Sequence, residues 1–368
     1  MAGSVFGRLF TVSTFGESHG AGLGAVVDGC PAGLSLDPDL IQTYLDRRKP
    51  GGSRFATQRK EADRVEILSG VFEGKTTGTP ILLLIRNEDQ RSADYNSIAA
   101  AYRPGHADFS FDTKFGFRDW RGGGRSSGRE TAGRVAAGAV ALHALSEMGI
   151  EVHAFTRAIG PFTADPAKYD WAFCRENRLV MPDREAEEKA EAWLEEQMAA
   201  RDSAGGRIEC RVTGLPAGFG DPVFEKLDAN LAKAVMSIGA VKGVEFGDGF
   251  RAAEASGSAD NDGFTLREGR IVPASNHAGG ILGGISDGAE LVLTAAVKPT
   301  PSIAQPQHTV TRDGQETVIE IKGRHDPVIV PRAVVVVEAM VGITLLDAIL
   351  CGMGAQYERV RAFVRDQR

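Results

Sequence analysis

The sequence has few cysteines, no C-x-x-C pair and no excess of positive charge. Its four cysteines are scattered at positions 30, 174, 210 and 351. This spacing argues against a disulfide framework or a zinc ribbon and is typical of a reducing compartment. Asp and Glu number 49 against 42 Lys and Arg, which gives a net charge of −7. Proteins that coat nucleic acid usually carry the opposite balance, so nucleic acid is not expected as a partner.

Signals for export or for a membrane are not found either. The N-terminus, MAGSVFGRLF, lacks the basic and apolar regions of a signal peptide. No apolar run is predicted to reach the length of a membrane span. Hydrophobic residues make up 42% of the chain and charged residues 25%, which is ordinary for a soluble globular protein. We therefore expect a soluble, cytoplasmic protein without a membrane partner.

Glycine is the residue that the sequence has in excess. There are 45 glycines, against about 7% in an average protein. They cluster at 16–24, 122–128, 239–249 and 279–288. Glycine costs conformational entropy on folding, so each cluster indicates either turns or a backbone that approaches a ligand closely. The unusual polar residues beside all four clusters favour the second interpretation.

Periodicity predicts a single α+β domain over residues 1–368, with helices packed on antiparallel sheets. Ser127 and Glu130 fit a capping box before the alanine-rich helix at 131–148. The segment 334–350 begins like a strand and ends with helical spacing. The most polar stretch, 160–205, is predicted to be a peripheral insertion. Strands are predicted at 6–15, 24–29, 79–86, 206–213, 289–298 and 317–322, and further helices at 39–47, 184–201 and 222–237.

Three familiar motifs nearly match, and each fails on its context. GESHG at 16–20 matches the G-x-S-x-G nucleophile elbow, but the glycine-rich segment after it cannot supply the helix that an elbow needs. The missing helix also defeats the dinucleotide pattern at 20–25. GVFEGKT at 70–76 resembles a P-loop with one residue too few. Ser18 is therefore not predicted to be a nucleophile.

Positive charge is concentrated in two windows, 47–64 and 103–134. The second window contains RGGGRSSGRE (121–130) at a predicted helix start. Backbone N–H groups, hydroxyls and guanidinium forks at a helix N-terminus form a natural anion site. Solvated surface charge is the alternative interpretation of each window. Clustered cations in an acidic protein focus the field in a cleft, which favours a small, multiply anionic ligand.

Four of the seven histidines lie in glycine-bearing turns: His19, His106, His277 and His325. Histidine titrates near neutrality and can move protons in either direction. A structural hydrogen bond is the alternative role for any one of them. No H-x-x-x-H or paired histidine–carboxylate motif occurs, so no metal site is predicted.

Together these motifs resemble the chorismate synthase family over essentially the whole chain. GESHG (16–20), GGGRSSGRETAGRVAAGA (122–139) and GRHDP (323–327) resemble its three signatures, and SNHAGGILGGIS (275–286) and KPTPS (298–302) fall in the expected order. The family converts 5-enolpyruvylshikimate 3-phosphate to chorismate and phosphate, the last common step of the shikimate pathway to aromatic amino acids. This 1,4-anti elimination requires reduced FMN without net redox change. Such a substrate and cofactor, both anionic, fit the two cationic windows.

The resemblance implies roles for particular residues. His19 resembles a histidine that donates a proton to the reduced flavin, and His106 resembles one that protonates the departing phosphate. Asp347 resembles a carboxylate near the flavin N5 that aids removal of the ring proton. The substrate-binding residues implied are Ser18, Arg48, Arg54 and Arg134. The FMN-binding residues implied are Arg125, Ser126, Ser127, Gly239, Ala240, Gly283, Lys298, Pro299, Thr300, Pro301, Ser302 and Arg324.

The resemblance also implies a β–α–β sandwich fold and a homotetramer. Positions 48 and 54 are linked in the family to a nicotinamide cofactor, so NADPH is expected as a reductant only. The long insertions of self-reducing fungal forms are missing, which favours an external flavin reductase. Gly239 and Pro301 depart from the family's usual SINAVKG and KPTSS.

Two other classes of function stay open at this point. The anion site at 121–130 is compatible with phosphoryl transfer or nucleotide binding, although no intact nucleotide motif supports that class. A non-enzymatic flavin- or anion-binding module is the other alternative.

Overall fold

The computed structural model describes residues 3–49, 55, 62–87, 100–321 and 326–367. The helices in these ranges are α1 (Pro38–Arg48), α2 (Asp108–Phe115), α3 (Thr131–Glu147), α4 (Trp171–Glu176), α5 (Arg184–Ala199), α6 (Leu227–Met236), α7 (Gly257–Asp260), α8 (Val330–Gly352) and α9 (Tyr357–Asp366). The strands are β1 (Val5–Phe6), β2 (Thr11–Gly16), β3 (Gly22–Asp28), β4 (Val65–Ile67), β5 (Val71–Phe72), β6 (Lys75–Thr76), β7 (Ile81–Arg86), β8 (Glu151–Ile159), β9 (Phe162–Thr163), β10 (Gly206–Thr213), β11 (Val241–Phe246), β12 (Phe264–Arg267), β13 (Arg270–Pro273), β14 (Ile281–Leu282), β15 (Ile285–Ser286), β16 (Leu291–Val297), β17 (Pro306–Val310) and β18 (Glu316–Glu320).

Two five-stranded antiparallel sheets form the outer layers of the fold. Their strand orders are β1-β2-β3-β7-β4 and β11-β16-β10-β8-β9. In the first sheet Ala25 of β3 pairs with Leu83 of β7, and in the second Cys210 of β10 pairs with Leu293 of β16. All four side chains are fully buried. Alternate residues of each sheet therefore face one core, as the period of a strand requires.

The helices α1, α3, α6 and α8 fill the space between the two sheets. Helix α3 packs on β3 and β7 of the first sheet, and α8 packs on β8 and β10 of the second. The two helices also pack on each other, and a Cβ added at Gly138 would lie only 2.3 Å from the Cβ of Ala339. Glycine at this position thus permits the close approach of α3 and α8. The α+β class and the helices between antiparallel sheets are confirmed.

Helix α8 differs from the prediction, because the whole segment 330–352 is helical and no part of it is a strand. The residues from Val334 to Val337 are at most 3% exposed. Burial on all sides stabilises the helix and overrides the β-propensity of a valine run, which is a weak preference. Among the described helices, α8 alone is long and apolar enough to cross a membrane. The expectation of no such run is therefore wrong, although 83% of its most apolar window is buried inside this fold.

Smaller differences concern the chain before α3 and the first strand. The predicted strand at 6–15 is divided by a turn at Gly7, whose φ is +93°. The capping box before α3 is wrong: Ser127 caps a short 3-10 turn through the Arg129 N–H, while Glu130 pairs with Arg134. The other predicted helices and strands are present with bounds shifted by a few residues.

The polar segment 160–205 carries β9, α4 and α5 and shares the main core. Strand β9 pairs with β8 at the edge of the second sheet. Leu179, Met181 and Leu194 are fully buried in the same apolar cluster as the two sheets. Charged residues of α5 cover the outer face, so the segment is an edge element that is integrated by its apolar side chains.

Candidate active site

A cavity of about 600 Å³ opens where α3 begins, and its size is that of a small-molecule site. Loops before α2, after α6 and after β16 contribute its walls, together with the turn before α3 and the first turns of α8. Many of the predicted site residues meet here. Those that line the cavity are Arg48, His106, Arg125, Ser126, Ser127, Arg134, Gly239, Ala240, Lys298, Thr300, Pro301 and Ser302.

The cavity is strongly cationic, although the chain as a whole is acidic. Among the described lining residues there are eight cations and only two acids, Glu130 and Asp326. A concave site of one sign attracts and holds ligands of the opposite sign. The two basic windows of the sequence thus combine in one hollow. The cations are Arg48, Arg103, Arg125, Arg129, Arg134, Lys242, Lys298 and Arg332.

Arg48 is fixed to the wall by three hydrogen bonds. It donates to Thr131 Oγ1 (3.0 Å), to Asp63 Oδ2 (2.7 Å) and to the Gly128 carbonyl (3.0 Å). Burial lowers the pKa of Arg48 to about 10, against the opposing charge of Asp63. The side chain therefore stays cationic at neutral pH. Asp63 is completely buried and also accepts from Arg129.

His106 lies in the loop that leads into α2. Its Nδ1 is 3.2 Å from Arg103 Nη2 and 3.5 Å from Asp108 Oδ1. Asp108 in turn binds both Arg103 and Arg118, at 2.7 and 2.8 Å. Burial would raise the pKa of Asp108, but the hydrogen bonds and charge of its partners hold it well below its usual range. This carboxylate is therefore ionised.

His19 and His106 pack on neighbouring glycines of one turn. A Cβ added at Gly122 would lie 2.5 Å from His19 Cε1, and one at Gly123 would lie 3.2 Å from His106 Cε1. His19 is 6% exposed, and its Nδ1 shares a hydrogen bond with Ser18 Oγ at 2.9 Å. Gly122 lines the cavity, whereas His19 and Ser18 stand directly behind it. The glycine run thus lets both imidazoles approach the same wall.

The turn at 125–127 and Arg134 are anchored to their surroundings. Arg125 donates to the Gly16 carbonyl (3.0 Å) and to Thr14 Oγ1 (2.6 Å) of β2. Ser126 Oγ donates to the Gly123 carbonyl at 2.7 Å. Arg134 donates to Glu130 at 3.0 Å and to Ser237 Oγ at 2.6 Å. These residues therefore form a prearranged wall.

The opposite wall is built by the loops at 237–242 and 298–302. Lys298 Nζ donates to the Gly105 carbonyl at 2.7 Å, which ties this wall to the loop of His106. Ala240 has a φ of +73°, a backbone conformation that few residues other than glycine adopt. A Cβ added at Gly239 would meet nothing within 4 Å. Glycine at this position consequently leaves extra room beside the cavity.

Other predicted site residues lie elsewhere. Asp347 does not line the cavity; its half-buried carboxylate accepts N–H groups from Arg8, Leu9 and Phe10 at 2.7–3.0 Å. Gly283 is in the β14–β15 hairpin, and Pro299 does not line the cavity although its neighbours do. Their functional roles stay predictions. Arg54, Arg324 and His325 fall outside the described residues.

Several residues of the wall were not predicted. Arg103 and Arg129 lie in the second basic window, and this cluster of charge is the sequence feature that could have indicated them. Asp326 is part of the GRHDP signature, but no role was predicted for it. Arg332 could not be predicted, because its segment matches no motif. In the structure it donates hydrogen bonds to Asp326 Oδ2 (2.5 Å) and to the Arg48 carbonyl (3.0 Å). Within the described ranges no group of three potential metal ligands occurs.

The fold and the cavity define a class: an α+β protein with a cationic, small-molecule-sized cavity that His106 lines. Residues 10–350 match the family model described as chorismate synthase. The chain belongs to the chorismate synthase family. Chorismate synthases of Lachnospira eligens and Agathobacter rectalis are 62% and 60% identical to it, over 99% of this chain and all of each relative. A crystal structure of chorismate synthase matches with a TM-score of 0.76 and 34% identity, over 98% of both chains.

Proposed function

We propose that this chain eliminates phosphate from 5-enolpyruvylshikimate 3-phosphate to give chorismate, with reduced FMN as cofactor. The observation that carries the proposal is the convergence of eight cations and His106 on one cavity. In the reaction the C–O bond to phosphate breaks and a ring proton leaves, so charge develops on the departing phosphate. Fixed cations stabilise such charge without reorganising.

Substrate binding falls to the arginines whose positions are fixed from behind. Arg48 and Arg129 are held by Asp63, and Arg134 is held by Glu130 and Ser237. Guanidinium groups recognise phosphate and carboxylate through paired N–H bonds, which suits a substrate with one phosphate and two carboxylates. Because these side chains are already ordered, less conformational entropy is lost when the substrate binds.

The residues present fit a flavin mononucleotide. The hydroxyls and backbone of the 125–127 turn, together with Lys298, offer donors for its phosphate, and the open space beside Gly239 offers room for a ring. When bound, reduced FMN supplies an electron-rich ring that can lend charge and recover it. NADPH serves only as a source of electrons, and we propose that an external reductase delivers them.

Three groups of this chain handle protons in the proposal. His106 lines the cavity and donates a hydrogen bond to the leaving phosphate, while His19, which packs against Gly122, has the role of proton donor to the reduced flavin. The ring proton needs an acceptor. Asp326 lines the cavity, where its Oδ2 accepts from Arg332, whereas Asp347 does not line it and accepts from the backbone of residues 8–10, so we assign this role to Asp326.

Anaerobic turnover with photoreduced FMN tests the proposal, with phosphate release and chorismate formation measured together. We expect both products in equal amounts, and none with oxidised FMN. H106A is expected to keep substrate and FMN binding while losing about 10²-fold or more in rate. A protein that binds both ligands without turnover would instead be a binding module. Phosphate transferred to an acceptor, with no chorismate, would identify a phosphoryl transferase.

We also propose a homotetramer in the cytoplasm, without nucleic acid or membrane as partner. Exposed apolar side chains support an assembly: Phe264, Leu266 and Ile271 on the β12–β13 hairpin are 61–74% exposed. Such patches mark interaction surfaces. Light scattering coupled to size-exclusion chromatography measures the state directly, and a monomeric mass would exclude the tetramer.

A further inference from the structure

A group of buried charges, Asp108, Arg103 and Arg118, lies next to His106. Asp108, in the first turn of α2, is 5% exposed. Its two oxygens accept from Arg103 Nε and Nη2, both at 2.7 Å, in the paired geometry that is strongest for arginine and carboxylate. Arg118 Nη1 adds a third contact at 2.8 Å. The position of Arg103 is therefore determined by Asp108.

Arg103 has little left to offer a ligand, because its donors are directed at the protein. Nη1 donates to the Gly122 carbonyl at 3.2 Å, and Nη2 lies 3.2 Å from His106 Nδ1. A guanidinium group carries only donors, so in this contact the histidine nitrogen must be the acceptor. A neutral imidazole that accepts at Nδ1 carries its hydrogen on Nε2. Nε2 is then the nitrogen available to a ligand in the cavity that His106 lines.

The alternative arrangement is also defined by the geometry. Asp108 Oδ1 lies 3.5 Å from the same Nδ1, beyond the usual hydrogen-bond length. A ring with hydrogen on Nδ1 would have to turn away from Arg103 and donate to Asp108. The shorter contact favours Arg103 as the partner of the neutral ring, and the two arrangements differ in which nitrogen carries the hydrogen.

We propose that Asp108 is a positioning residue that, through Arg103, fixes the neutral His106 ring with its hydrogen on Nε2, facing the cavity. The inference deepens the proposed function: the Nε2–H group gives a hydrogen bond at the place where charge develops on the departing phosphate. His106 stabilises that charge as a hydrogen-bond donor, because a neutral imidazole that transferred its Nε2 proton would become an imidazolate. Without Asp108 the guanidinium loses its anchor, and the ring is free to turn or to change tautomer.

Nitrogen NMR of the ligand-free protein tests this arrangement without any need for activity. With ¹⁵N-labelled histidine, the His106 signals are those that disappear in H106A. We expect Nε2 to give the signal of a protonated nitrogen and Nδ1 that of an unprotonated one. D108N and R103K are both expected to lose this pattern. A wild-type ring with hydrogen on Nδ1, or an unchanged pattern in both folded variants, would overturn the proposal. Hydrogen on Nδ1 in the wild type overturns the proposal even if neither variant folds.

Asp112, one turn further along α2, supplies the matched control. It lies 3.3 Å from Arg118 and from Arg312, and within the described residues it forms no hydrogen bond or ion pair with His106. D112N therefore removes a similarly buried carboxylate from the same helix. We expect it to keep the His106 pattern and the rate. If D112N changed the ring signals as much as D108N does, a general loss of structure would explain both and the inference would fail.

A double-mutant cycle separates positioning from stability in the reaction itself. We expect D108N to lower kcat about 10²-fold, with KM for the substrate changed much less. In the H106A background the same substitution should change kcat by less than about twofold, because the group it positions is missing. Equal losses in both backgrounds would contradict the proposal. An inactive wild type with the expected ring signals would refute the proposed function and leave the positioning intact.

Discussion

Arg48 and Asp63 form a buried ion pair behind the cationic wall, with Arg48 Nη1 2.7 Å from Asp63 Oδ2. The same carboxylate binds Arg129, so two cavity arginines from different elements share one counter-charge. Asp63 has a φ of +48°, in the left-handed region that aspartate and asparagine tolerate better than most residues. The pair therefore couples the stability of the fold to the position of the anion clamp.

D63N removes this charge while keeping the size and the backbone preference of the residue. Two buried guanidinium groups would lose their partner, which typically costs about 3–5 kcal/mol. We expect urea unfolding to show a loss of that order and KM for the substrate to rise, with kcat less affected. D46N is the control, since the Asp46–Lys49 pair is exposed and such pairs contribute at most about 1 kcal/mol. A D63N protein as stable as D46N would contradict the coupling.

The turn between the two imidazoles gives a steric prediction. In G122A the new methyl group would lie 2.5–2.9 Å from His19 and Ser18, at a φ of +81°. We expect His19 to be displaced and the rate to fall at least about tenfold, since a misplacement near 1 Å can cost more. G116A is the matched control, because Gly116 has a φ of +70° and no neighbour within 4 Å. A comparable loss of rate in both variants would mean that backbone strain, rather than contact with His19, is responsible.

The sequence predicted those elements whose local pattern agrees with their final environment. Helix α3 is alanine-rich, and alanine favours a helix whether or not it is buried. Helix α8 was predicted poorly because its valines favour a strand locally, and only packing between two sheets makes the helix the stable form. The information that decides α8 therefore lies in distant residues.

In the candidate site, too, the residues that could be predicted are those with a local sequence pattern. Arg48, Arg125, Arg134 and His106 were predicted because they lie where glycine and charge cluster locally in the sequence, whereas Arg332 lies in no such cluster. Asp63 and Asp108 were not predicted, since a single carboxylate has no local pattern and its function depends on what it meets in space. Asp63 and its partner Arg129 are 66 positions apart in the sequence, and Asp347 and its partner Phe10 are 337 positions apart. Such contacts are visible only in the fold.

Substitution of Asp347 is expected to lower stability, whereas substitution of Asp326 is expected to lower the rate of phosphate release. D347A removes the acceptor of the backbone N–H groups at residues 8–10, and we expect a loss of about 1–3 kcal/mol in stability. Its phosphate release per folded molecule should change little. D326N is expected to lower that rate about 10²-fold, because it removes a cavity carboxylate. A large loss of rate in fully folded D347A would instead support the role that the family resemblance implies for Asp347.

Outside the cavity, His277 forms a hydrogen bond whose strength depends on pH. The hydrogen bond to Asp248 at 2.7 Å is the main cause that raises the pKa of His277, and Asp262 and Asp260 add to it. The folded pKa is raised, so this contribution to stability is complete below about pH 6.5 and is lost as pH rises through the folded value. We expect amide protection near residues 247–248 and 277–278 to fall as pH rises above about pH 6.5, relative to H277Q measured at each pH. Glutamine does not titrate in this range, so the comparison cancels the intrinsic pH dependence of exchange. Equal protection in both proteins at every pH would show that the pair does not stabilise these loops.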